Sequence, residues 1–153
     1  YTFGGNLVKI PGLDGNGKMG KSEGNGIFLS DTDEAIRKKV MKAVTDSGPT
    51  APDSPMPEVI ANLFTLLKAV STEDTVRHFT DLWNRCEIRY GDLKKQLAED
   101  MIKVVAPIRT RIQDIIGDDA YLSRVVKQGA EKARESSSRT LSDVRRIMGI
   151  KPF

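Results

Sequence analysis

The sequence predicts a mainly α protein: a bundle of about five helices preceded by a glycine-rich extended segment. Three observations carry this. Apolar residues beyond position 30 recur at steps of three and four, the period of a helix with one buried face. Eight of the 13 glycines fall before residue 30. Between the apolar runs stand helix starters and helix stoppers.

Each element follows in order. Leu7–Ile10 and Ile27–Leu29 are short apolar pieces on either side of the glycine-rich stretch, which reads as extended chain, mobile loop, extended chain. Asp31 or Thr32 can cap a helix running to about Thr45, with Ile36, Val40 and Val44 four apart. Residues 48–57 hold four prolines and read as a linker; Pro57 suits a first helical position. Val59, Leu63, Leu66, Leu67 and Val70 make the next helix. Ser71 with Asp74 resembles a capping box, opening a helix with Val76, Phe79, Trp83 and Cys86 on one face. Leu93, Leu97, Met101, Val104, Ile108, Ile112 and Ile115 form a long stripe that Pro107 should kink. Asp118 can start a last helix ending near Gly149, its Leu122, Val126, Ala130, Ala133, Leu141, Val144 and Met148 facing one way.

The length, 153 residues, is about one domain's worth. No apolar run approaches the roughly 18–20 residues of a membrane-spanning helix. A single cysteine, Cys86, excludes an internal disulfide and points to a reducing, cytoplasmic compartment. A single histidine, His78, excludes a His-rich metal site, and no metal ligands are expected. Net charge is +3, with eight basic against three acidic residues from Arg124 onward. Such a stretch permits contact with a polyanion. The bland readings are a surface or structural His78, a core Trp83 (base stacking its alternative), a buried or half-buried Cys86 thiol and a solvated Ser136–Ser138 patch. Carboxylate pairs Glu73-Asp74 and Asp118-Asp119 sit at helix starts, where the dipole favours them.

Residues 15–22, GNGKMGKS, satisfy the phosphate-loop pattern at Gly15, Gly20, Lys21 and Ser22. A true phosphate loop opens a helix at its lysine. Here Glu23-Gly24-Asn25-Gly26 follows, with two glycines that start helices poorly. A P-loop nucleoside triphosphatase is therefore the weaker reading. In the wider string PGLDGNGKMGKSEGN, residues 11–25, KMGKS resembles the KMSKS signature loop of class I aminoacyl-tRNA synthetases, with Gly20 where the signature has serine. IRKKVMKAVTDSG, residues 36–48, and GAEKARESSSRTLSDVRRIMGI, residues 129–150, are similar to segments of tryptophanyl-tRNA synthetases. Three separated matches in order cover nearly the whole chain.

The resemblance implies a tryptophan–tRNA ligase, activating tryptophan with ATP and magnesium and transferring it to tRNA(Trp). Activation expels pyrophosphate, and ammonium groups beside its oxygens stabilise the charge that develops. By resemblance Lys21 is the first candidate for that contact and Lys18 the second. Met19, Gly20 and Ser22 complete the ATP-binding set, with Met19 expected to anchor the loop. The HIGH-type motif that such enzymes also need is absent, and the chain opens on Tyr1. The expectation is therefore a C-terminal half, inactive alone: residues 1–30 ending the catalytic domain, residues 31–153 forming a helical anticodon-binding domain. The tryptophan pocket and most of a homodimer contact would belong to the missing half. For tRNA, Arg134 and Arg145 are favoured; eleven residues apart, they share a helix face. A tyrosyl-type synthetase and a non-catalytic helical RNA-binding module remain the alternatives.

Overall fold

The computed structural model describes residues 10–15 and 17–150. The apolar piece at residues 7–9 lies outside them. Five helices follow one another: α1 (Asp33–Met41), α2 (Glu58–Val70), α3 (Glu73–Asn84), α4 (Tyr90–Ile116) and α5 (Asp119–Ile147). Among the described residues there is no strand, only an isolated antiparallel bridge between Pro11 and Lys18. Residues 27–29, expected as extended chain, are irregular.

The chain divides into two compact units, residues 1–109 and 110–153. The first contains the core. α1 starts where the sequence indicates: the Thr32 hydroxyl accepts from the Ala35 amide at 3.2 Å, and Asp33 and Glu34 fill the first turn. It ends earlier than expected, at Met41, so that Ile36 and Val40 are fully buried while Val44 is not. α2 begins just after Pro57 and buries Ile60, Leu63, Phe64, Leu66 and Leu67. α3 is capped by Thr72, not Ser71; the Thr72 hydroxyl accepts from the Thr75 amide. Ser71 instead closes α2, and its hydroxyl donates to Asp100 at 2.8 Å.

Phe79 and Trp83 of α3 enter the core, and the Trp83 indole donates to the Ser54 carbonyl at 2.8 Å. Cys86 does not join them. The helix ends at Asn84, and Cys86 takes a left-handed conformation with its side chain exposed. The expected buried thiol is thus corrected by the early helix end. α4 passes through Pro107 as one helix. Its buried face is Leu93, Leu97, Ala98, Met101, Ile102 and Val105; Val104 and Ile108, expected on it, are exposed. Leu93, Leu97 and Met101 are buried as the stripe indicates, and Ala98, Ile102 and Val105, each one residue on from a stripe position and about 100° round the helix, widen the buried face.

In the second unit, Asp118 caps α5 by accepting from the Tyr121 amide at 2.8 Å. Gly149, with φ of 72°, ends it, and the Ile150 amide returns to the Arg145 carbonyl at 2.9 Å. No residue of α5 is buried. The buried core of the first unit is built from α1–α4 together with Leu13 and Ala43.

Candidate functional site

The glycine-rich stretch is folded back on itself and fastened to the first unit. Leu13 is buried in the core, and its backbone is held in both directions: its amide donates to the Asn25 carbonyl at 2.9 Å, and its carbonyl accepts from the Val44 amide at 3.0 Å. The Met19 amide donates to the Ile10 carbonyl at 2.8 Å. Met19 is half-buried against the core, and its Sδ accepts from the Ile27 amide at 3.4 Å. A Cβ on Gly26 would stand 2.8 Å from Met19 Cγ, so only glycine admits this approach.

Asn25 is the polar centre of the loop. It is 7% exposed. Its Oδ1 accepts from the Gly20 amide at 2.9 Å, and its Nδ2 donates to Asp14 Oδ1 at 3.1 Å and to the Lys18 carbonyl at 3.3 Å. A Cβ on Gly12 would stand 2.3 Å from that Nδ2. In sequence Asn25, Asp14 and Gly12 stand within the signature string, Asn25 in its SEGN continuation, but none of them carries an assigned role. The available signal was positional: Gly12 and Asn25 close the two ends of the string around the lysines.

Between these fixed ends the loop displays Lys18, Lys21 and Ser22, all exposed. None of the ion pairs among the described residues involves either lysine. The nearby Lys39 is engaged, 2.6 Å from Asp31 and over the Phe28 ring. Asp14, Glu23, Lys39 and Lys42 line a cleft of about 280 Å³ beside the loop. Residues 21–24 form a turn, and the next helix begins only at Asp33. The P-loop reading therefore loses its geometry, because no helix N-terminus stands at Lys21 to receive a phosphate.

Lys94 of α4 supports the same region from behind. Buried, it donates to the Ala43 carbonyl at 2.7 Å and lies 3.4 Å from the Thr45 hydroxyl. Burial pushes its ammonium below the usual lysine range. The bond to Ala43 fixes the backbone beside Val44, which in turn holds Leu13.

In the second unit, Arg134 and Arg145 of α5 are exposed and form no ion pair with a described residue. Arg139 pairs with Glu135 at 3.1 Å, and Arg146 with Asp143. His78 is exposed, edge-on to Phe79. Among the described residues no helix is long and apolar enough to cross a membrane.

The chain is similar to known proteins over nearly its whole length. The tryptophan–tRNA ligase of Porphyromonas gingivalis is 58% identical over 151 residues, spanning 99% of this chain and 46% of its own length. Tryptophan–tRNA ligase 1 of Streptomyces coelicolor is 36% identical over 139 residues, covering 88% of this chain and 40% of that protein. The chain thus spans under half the length of these curated relatives. A solved tryptophanyl-tRNA synthetase from Campylobacter jejuni, in complex with ADP and tryptophan, shares the fold with a TM-score of 0.75 at 22% identity, over 94% of this chain and 44% of that one. The family model of class I tRNA synthetases (W and Y) matches residues 7–106, from the loop to the core-forming part of α4, and the chain belongs to that family.

Proposed function

We propose that this chain supplies the ATP-phosphate loop and the anticodon-binding helices of a tryptophan–tRNA ligase. In this reading residues 1–30 end the catalytic domain and residues 31–153 form the tRNA-binding domain. The observation that carries it is the KMGKS loop, clamped at both ends and presenting two exposed lysines. The names of the relatives favour tryptophan over tyrosine.

Activation joins the tryptophan carboxylate to the α-phosphorus of ATP and releases pyrophosphate. Lys21, with Lys18 beside it, meets the oxygens of the leaving pyrophosphate as their charge grows, which lowers the barrier more than it tightens the ground state. Ser22 donates to a phosphate oxygen. Met19 and Gly20 set the backbone between the lysines. Magnesium comes with the phosphates of ATP, held largely by them and by water. The tryptophan pocket lies in the part of the relatives that this chain does not span. The whole enzyme works in the cytoplasm as a homodimer and passes tryptophan to tRNA(Trp).

In the complete synthetase, Lys21→Ala should lower kcat for adenylate formation by roughly 10²–10³, the usual effect of removing one transition-state contact. Tryptophan affinity should change little. Pyrophosphate exchange within about threefold of wild type would move the contact to Lys18.

A further inference from the structure

We propose that Asn25 is the positioning residue of the lysine loop: its buried carboxamide sets the direction in which Lys18 and Lys21 are presented. This rests on the reading of the loop given above. The carboxamide uses all three of its near-side bonding positions on the loop itself. Its oxygen takes the Gly20 amide, from the residue directly before Lys21, and its nitrogen takes the carbonyl of Lys18. The second N–H goes to Asp14 across the base of the loop. The backbone on both sides of Met19 is thereby fixed by one side chain.

Asn25 is itself held from below. Its carbonyl accepts from Leu13, Leu13 accepts from Val44, and Lys94 grips the carbonyl of Ala43. The chain of bonds therefore runs from α4 through the segment after α1 to the peptide preceding Lys21. Only an amide satisfies this site. A carboxylate at position 25 could accept from Gly20, but it would face the Lys18 carbonyl and the Asp14 carboxylate with no proton to give. Alanine would leave the Gly20 amide and the Lys18 carbonyl without their partner.

The test uses the complete synthetase with Asn25→Asp, Asn25→Ala and Lys21→Ala in parallel. Misplacing a catalytic group by about 1 Å can cost roughly 10²-fold in rate. Both Asn25 variants should therefore lose about 10–100-fold in kcat for adenylate formation. The KM for tryptophan should stay near wild type and the protein should remain folded at the assay temperature, because the lost bonds are confined to the loop. Hydrogen exchange over residues 17–25 should accelerate in both variants, a response that a remote structural defect would not confine to these peptides. The proposal is overturned if the Asn25 variants activate tryptophan at the wild-type rate while Lys21→Ala is impaired. It also fails if loop exchange is unchanged, or if kcat falls only alongside a general loss of stability. If Lys21→Ala has no effect, the underlying reading of the loop falls instead, and the positioning role falls with it.

Discussion

At the scale of the residue, position in the chain and position in space part company most clearly at Trp83 and Cys86. Both lie on one helical stripe. Trp83 is 1% exposed, whereas Cys86 is beyond the helix end and open to solvent. The stripe identifies a face only while the helix lasts. The indole of Trp83 also does something that periodicity cannot show: it satisfies the Ser54 carbonyl in the proline-rich linker. Trp83→Phe should therefore lower unfolding free energy by about 1–3 kcal/mol, the range for leaving a buried acceptor without its donor. Urea unfolding followed by circular dichroism would measure it. A change below about 0.5 kcal/mol would mean that water replaces the indole there.

At the scale of the element, Asp100 ties α4 to the end of α2. On α4, it accepts from Ser71 at the end of α2, from Gln96 and from Lys103. Burial alone would raise its pKa, but these hydrogen bonds and the Lys103 charge outweigh burial and hold the carboxyl below its ordinary 3.8. A carboxylate depressed in the folded state contributes stability that is complete above the unfolded value. That contribution declines as pH falls below 3.8 and is gone once the folded carboxyl is protonated. Asp100→Asn should therefore be less stable at neutral pH and should flatten the acid arm of the stability curve below that value. Denaturant unfolding across a pH series reads this directly; identical acid slopes for variant and wild type would assign the sensitivity to other groups.

At the scale of the whole molecule, charge and exposure concentrate in the second unit. α5 buries none of its residues and leaves Val126, Ile147 and Met148 among its exposed apolar side chains. Its arginines divide into two kinds. Arg139 and Arg146 are occupied by carboxylates one turn away, whereas Arg134 and Arg145 have no described ionic partner and share a face. A planar guanidinium can stack on a splayed base or fork to its edge. In the complete synthetase, Arg134→Ala with Arg145→Ala should weaken tRNA binding and leave adenylate formation nearly intact, because activation needs no anticodon. If either arginine meets a phosphate, the salt dependence should flatten by about 0.7–0.9 per lost contact. Unchanged tRNA affinity and slope across a salt series would return this face to solvent.

Local chemistry along the chain was enough to determine the number of helices and most of their starts. Thr32 and Asp118 cap because their side chains reach the amide three residues on, and such bonds need no tertiary partner. The KMGKS string with its flanking glycines is likewise local. Tertiary structure decided what lies between distant residues. Ser71 leaves the expected capping role because Asp100, 29 residues away, takes its hydroxyl. The buried face of α4 widens to Ala98, Ile102 and Val105, beside the Leu93, Leu97 and Met101 that its own period indicates. Asn25 stands in sequence inside the SEGN continuation of the signature loop, with no role that the string reveals. Folding brings Asp14, Lys18 and Gly20 around its carboxamide and buries it, and a buried amide must have its partners.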